Sequence, residues 1–401
     1  MSAPNPSKGA LVTMAGTGIN LALGVLYAWS VIKSGIPDSW GWSNANKALP
    51  YSVACLVFSL AMIPAGRLQD KIGPRWVATL GGILAGLGCT IAWLSGSSLT
   101  GFVLGFGVLA GTGIGFGYAA ATPAAVKWYP RARTGLVAGI VVAGFGLASV
   151  YIAPLVTWLL GHFATKNEAG ILEKGISPTM LVLGIGFLLA VTALAQLMRN
   201  PPPDFDPEGS SAAKAAAPKT RDRSVREMLS GAQFYVLWLI YFVGAAAGLT
   251  FISVAQSLGK KSLGDLAFLV VVVLAVGNAG GRILAGMLSD KFGRETTLLG
   301  ALLLQILAVL GLYAQRSGGS WPVLLVLVSV IGANYGSNLA LFPAAAKDCF
   351  GLKNFGLNYG ILFSAWGAAG LVMPWLNGFI SDYAARENWT GSARQKWTTD
   401  E

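Results

Sequence analysis

The chain has 401 residues, 54% of them hydrophobic and only 11% charged, with 53 glycines, which excludes a water-soluble globular domain and describes a protein that crosses a bilayer many times. A single histidine, His162, and three widely spaced cysteines, Cys55, Cys89 and Cys349, offer no metal-ligand spacing and no histidine-based catalytic triad. The net charge of +11 fits basic loops beside a membrane better than a nucleic-acid partner.

The short polar N-terminus, MSAPNPSKGA, carries one lysine and no cleavage site, so the first apolar segment is expected to stay as a span. Apolar segments of bilayer length follow at 10–33, 48–66, 76–96, 101–124, 135–159, 178–198, 234–257, 266–288, 296–315, 321–346 and 355–380. They are called spans 1 to 11 below. His162 is expected in a polar loop after span 5. A polar stretch separates six spans from five. It holds Pro201, Pro202 and Pro203, a Ser/Ala/Lys run, and Arg221, Arg223 and Arg226, a linker composition. Within it, Ser224 to Leu229 reads equally as a short amphipathic surface helix or as a plain tether. The expected division is therefore an N-terminal half, 1–198, a linker, 199–230, and a C-terminal half, 231–401. After Asp382 the chain is too polar to cross, and no twelfth span is evident.

Lysine and arginine set the expected orientation. Lys8, Arg67, Lys71, Arg75, Lys127, Arg131, Arg133, the linker cluster, Lys291, Arg294, Lys347 and Lys353 fall on the N-terminal side. Only Lys33, Lys47, Lys166, Lys174, Lys260, Lys261 and Arg316 fall on the other. The bias predicts a multi-pass protein with N-terminus and linker cytoplasmic.

The two halves repeat. GRLQDKIG, with Gly66, Arg67, Asp70 and Gly73, returns 220 residues later as GMLSDKFG, with Gly286, Asp290 and Gly293. Pro123 and Pro343 keep that offset, as do Pro154 and Pro374, while Gly135 and Gly139 match Gly356 and Gly360 at 221. Two parallel repeats of six spans place a ligand site between them near the midplane.

Arg282 lies inside span 8 and is the one Lys, Arg, Asp or Glu in the middle of any apolar segment. A cation at that depth costs at least about 2.5–3.5 kcal/mol, and faces a watery cavity or an anion. With no acidic residue in the spans to pair with it, Arg282 reads as the receptor for an anionic ligand; the alternative is a snorkelling or helix-bridging arginine. Asn278 sits one turn earlier on the same face, able to orient Arg282 or bond the ligand, or to serve as helix–helix glue. Other mid-span candidates are Tyr27, Tyr118, Tyr335, Asn338, Tyr359, Phe363, Ser364 and Trp366, with Phe145 as an apolar wall. Tyr118 and Asn338 occupy equivalent places in the two repeats. For each aromatic, ordinary packing is an equal alternative.

The duplicated loop blocks resemble the signature of the major facilitator superfamily. The resemblance implies an all-α polytopic fold of two pseudo-symmetric six-helix halves, with the loop residues governing gating and their glycines allowing close helix approach. Four further segments, GVLYAWSVI, GTGIGFGYAAATPAAVKWYPRARTGLVAGIVVAGFG, GNAGGRILAGMLSD and NYGILFSAWGAAG, resemble the monocarboxylate transporters and the bacterial oxalate–formate antiporters. Both carry a carboxylate-binding arginine in span 8, which Arg282 matches. Trp366 stands where antiporters for the oxalate dianion have a lysine. One cation suits a monoanion better than a dianion. Asn278 stands where animal monocarboxylate transporters have an acid, and Val31 where they have a lysine, with Lys33 two residues on. The resemblance implies alternating-access transport of a small monocarboxylate such as L-lactate or pyruvate, proton-coupled, with carboxylate exchange as the alternative. It implies no cofactor and no enzymatic activity; the expected partners are substrate, proton and lipid bilayer.

Overall fold

In lipid every backbone polar group must be satisfied within the protein, so an apolar chain spans as helix. The structure, a computed structural model, describes residues 6–129, 131–167, 170–202, 205, 222–315, 320–351 and 354–386. Arg221, Arg316 and Lys353 lie outside these residues, as do the side chains of Asp70, Asp290, Arg131, Arg133, Gly135, Lys261 and Gly356. The described residues contain 11 helices long and apolar enough to cross a membrane: Lys8–Lys33, Asn44–Gln69, Pro74–Leu94, Leu99–Val126, Leu136–His162, Ile176–Ala195, Ala232–Lys260, Gly264–Ser289, Arg294–Ala314, Trp321–Phe350 and Leu357–Ala384. These are spans 1 to 11. The ends on the side of Lys8 form the N-terminal face, and the others the far face.

Two spans depart from plain α-helix. Span 1 runs as α-helix over Pro6–Leu23, tightens to 3-10 over Gly24–Ala28 and resumes over Trp29–Lys33. Gly24 lies against span 5, where a Cβ would come within 2.6 Å of the Phe145 carbonyl oxygen. The tightened turn carries Tyr27 into the interior, 3% exposed. Span 4 contains a π-helical stretch, Val103–Ala110, a widening often found at functional positions.

His162 is not in a loop. It ends the helix Arg131–His162 and stacks on Trp158, ring centroids 4.9 Å apart. The loop proper holds a two-residue hairpin, β1 (Thr165–Lys166) against β2 (Leu172–Glu173). Of the two readings of Ser224–Leu229, the helix is observed: Val225–Leu229 starts with a capping box between Ser224 and Glu227. Its Met228 is buried. The preceding Arg223 carbonyl accepts from Asn354 and Asn358 at 3.0 Å each.

Span 2 packs along span 11, span 5 along span 8, span 3 along span 6, and span 8 along span 10. The last contact fixes the site. Gly277 and Gly281 of span 8 abut the Ser329 and Ala333 carbonyls of span 10, and Gly332 and Gly336 return the contact against Leu274 and Asn278. Any side chain there would overlap the neighbouring backbone, so four small residues let the helices meet backbone to backbone.

Candidate functional site

That seam locks span 8 and aims Arg282 away from span 10, toward spans 5 and 1. The residue is 5% exposed. Its Nε donates to Asn278 Oδ1 at 3.1 Å, Nη1 to the Val142 carbonyl at 2.6 Å, and Nη2 to the Tyr27 hydroxyl at 3.5 Å. The one-turn spacing of Asn278 and Arg282 thus becomes a hydrogen bond. Gly146 of span 5 lies beside the guanidinium, where a Cβ would make ordinary contact at 3.5 Å from its carbon. No salt bridge to Arg282 occurs among the described residues. A guanidinium has five N–H donors, and three are engaged here.

Tyr27 connects this cation to an aromatic chamber. Its hydroxyl lies 3.0 Å from that of Tyr335, which accepts from Trp366 Nε1 at 2.6 Å. Beyond it lies a small cavity, about 10 Å³, lined by Tyr27, Phe58, Tyr118, Phe145, Leu339, Phe363 and Trp366. Phe58 is its hub. It meets Tyr118 edge-on at 5.3 Å, Trp366 at 5.3 Å and Phe363 at 5.8 Å, and stacks on Phe145 at 5.7 Å. Such pairings hold the rings in place beyond simple burial. Arg282 itself does not line the cavity; Tyr27 stands between the two.

The structure therefore gathers most of the expected residues in two adjoining groups. Arg282, Asn278, Tyr27 and Tyr335 form the polar group. Tyr118, Phe145, Phe363 and Trp366 join Tyr27 around the cavity, with Tyr359 packed behind Phe363 at 5.8 Å. Two residues face elsewhere. Ser364 accepts from Trp238 Nε1 of span 7 at 3.0 Å. Asn338 is buried against span 7, where a Cβ on Gly244 would lie 2.8 Å from its Oδ1; its neighbour Leu339 lines the cavity instead.

In the loop motifs, Gly73 and Gly293 have positive φ, +85° and +88°, a conformation that favours glycine. Gly66 and Gly286 do not serve close helix approach here, because a Cβ on either would meet nothing within 4 Å. Arg67 is exposed and borders an open basin with Ile63, Pro64, Leu68 and Lys71.

Sequence reasoning passed over Phe58 and Leu339. Phe58 carries no polar atom to mark it, yet the repeat register does: Asn278 follows it at 220 residues, and Trp366 follows Phe145 at 221. The Val142 carbonyl has no side-chain signal at all.

The Major Facilitator Superfamily profile matches residues 10–374. The chain belongs to this superfamily. It is thus a multi-pass membrane transporter. Among relatives of this facilitator, an uncharacterized MFS-type transporter of Escherichia coli, YhjX, is 26% identical over 373 residues, covering 92% of this chain and 87% of the relative. The oxalate:formate antiporter of Oxalobacter formigenes is 28% identical, with coverages of 87% and 79%. Human monocarboxylate transporter 11 is 28% identical, with coverages of 94% and 78%. In three dimensions the facilitator resembles a bacterial homolog of the human lysosomal transporter Spinster, with a TM-score of 0.68 and 20% identity, covering 98% of this chain and 87% of the other.

Proposed function

We propose that the protein is a secondary transporter of small monocarboxylates, L-lactate or pyruvate-like, with Arg282 as the carboxylate receptor. The observation that carries this reading is a buried guanidinium with no salt bridge among the described residues, next to a small aromatic cavity. Relatives named for monocarboxylate transport and for oxalate–formate exchange support it. At about 10 Å³ the cavity has room for about one water, so the proposed substrate enters only as the aromatic walls move apart. One guanidinium offers one bidentate grip. Trp366 supplies a neutral donor at the position where a second cation would favour a dianion.

In the proposed mechanism, a carboxylate takes the Nη donors now turned to Val142 and Tyr27, while Asn278 holds Nε in place. The released Tyr27 hydroxyl, with Tyr118, is placed for a 2-hydroxyl or 2-oxo group. Phe58, Phe145, Phe363 and Trp366 enclose the short carbon chain. The proposed organisation is two rocking halves, 1–198 and 231–401, joined by a cytoplasmic linker, 199–230, in the inner membrane. Gly66, Arg67, Asp70, Gly73, Gly286, Asp290 and Gly293 are assigned to gating. The basic bias of the N-terminal face supports this orientation.

Proton-coupled symport is the usual mode of the family resembled. Exchange is the second reading, and one observation favours it: Arg282 ties span 8 to spans 5 and 1 through the Val142 and Tyr27 bonds. A carboxylate that replaces those bonds would speed reorientation only when bound. Uptake of labelled L-lactate into proteoliposomes decides, with and without an inward proton gradient, for wild type and Arg282→Ala. Uptake that rises with the gradient and falls at least a hundredfold in the variant establishes symport through Arg282. Uptake indifferent to the gradient but dependent on internal carboxylate establishes exchange. Undiminished uptake by folded Arg282→Ala removes the receptor role.

A further inference from the structure

A helix N-terminus leaves its first N–H groups without intrahelical partners. At the start of span 2, all three of the first such groups are satisfied, but by two different parts of the molecule. The Asn46 N–H donates to the Ser43 hydroxyl at 3.2 Å, a cap from the adjacent chain. The Asn44 and Ala45 N–H groups donate, at 2.8 and 3.0 Å, to the two carboxylate oxygens of Asp382, near the far-face end of span 11. The Asn44 side-chain amide adds a third bond to Asp382 at 3.0 Å. One turn before Asp382, Gly378 lies so close that a Cβ would come within 2.6 Å of the Asn44 carbonyl oxygen. Span 11 therefore supplies, from across the molecule, most of the cap of span 2, and a carboxylate is the favoured group at that positive helix end. Lys33, ending span 1, and Lys47, paired with Asp38 at 2.8 Å, add positive charge on the same face.

The repeat counterpart of spans 2 and 11 is the pair 8 and 5, and the residue 220 before Asp382 is His162, which stacks on Trp158 of its own helix. Hydrogen bonds join the first six spans to the last five at Asp382 on the far face and through the Tyr27, Tyr335, Arg282 and Val142 group in the interior. At the N-terminal face, Arg67 and Lys71 border an open basin.

We propose that Asp382 is a latch that holds the far face closed, and that the far face opens only when Asp382 lets go of the span-2 helix end. The latch is separate from the ligand site and acts whatever the substrate is.

Two native thiols make the test direct. Cys55 is buried in the span 2–11 contact, where a Cβ on Gly370 would lie 3.1 Å from its sulfur. Cys89 is buried between spans 3 and 6, against Gly184, and reports unfolding instead. Proteins retaining only Cys55 or only Cys89, the other cysteines changed to serine, are reacted with a water-soluble maleimide, with Asp382 intact or as Asp382→Asn. Hydrogen bonds to a charged group are worth enough that losing them should speed Cys55 labelling about tenfold, with Cys89 unchanged. Cys55 labelling at the wild-type rate overturns the proposal. If both thiols react faster, Asp382→Asn has loosened the fold, and Asn44→Ala decides with the same two reporters. Acceleration of Cys55 alone then supports the latch; no acceleration, or acceleration of both thiols, overturns it.

Discussion

Arg282 keeps two of its five N–H donors uncommitted while the other three bind Asn278, Val142 and Tyr27. The three bonds differ in kind. Those to Val142 and Tyr27 come from the Nη groups, and in the proposed mechanism they are the ones a carboxylate displaces. The bond to Asn278 uses Nε and survives, which makes Asn278 a positioning residue. Asn278→Ala should then leave the cation present but unaimed. The expected result is a KM for L-lactate raised about tenfold, the scale of one hydrogen bond to a charged group, with the maximal rate changed less. A loss of maximal rate at unchanged KM would point away from ground-state positioning. Arg282 and Asn278 were legible from sequence because a charge and an amide in an apolar segment demand a reason. Phe58 was not, since a phenylalanine at membrane depth demands none. Its role shows only where its ring meets four others.

The helices themselves follow from composition, and all eleven apolar segments are helical in the structure. Hydropathy could not reveal where a helix changes pitch. The 3-10 turn in span 1 begins at Gly24, where span 5 lies against it, and it carries the buried Tyr27. The span 8–10 seam is a second case: the sequence shows glycines, but not that Gly281 faces the Ala333 carbonyl or Gly336 faces Asn278. Such a seam cannot yield, because backbone lies on both sides. Gly281→Ala should therefore be destabilising by about 1–3 kcal/mol, the usual cost of overpacking, read as a lower Tm of the purified protein. Because the seam also aims Arg282, the surviving folded fraction should bind L-lactate more weakly. Gly286→Ala, five residues on, meets open space and should change neither.

On the scale of the whole molecule, Tyr27 and Arg282 make interior bonds between the first six spans and the last five. Tyr27 joins Tyr335 at 3.0 Å and Arg282 at 3.5 Å, and Arg282 joins Val142. Any rocking of one group of spans against the other must break them, and in the proposed mechanism a bound carboxylate compensates only the part made by Arg282. The repeat in the sequence predicted that the site would sit between the groups, but not that its residues would also fasten them together. That second role separates net transport from exchange. Tyr27→Phe keeps the ring and its edge-on contacts with Phe145 and Tyr335 but deletes both cross-bonds made by the hydroxyl. The Tyr27–Tyr335 bond is neutral, worth about 0.5–1.5 kcal/mol net, and the bond from Arg282 is long at 3.5 Å, so reorientation without substrate should accelerate by at least about three- to tenfold. Exchange, in which substrate has already displaced the Tyr27–Arg282 bond, should accelerate less. The measurement is the ratio of L-lactate counterflow to net efflux from the same proteoliposomes. A ratio that falls in Tyr27→Phe shows that the tyrosine restrains the unloaded transporter, whereas an unchanged ratio with weaker lactate binding shows that the hydroxyl serves the substrate alone.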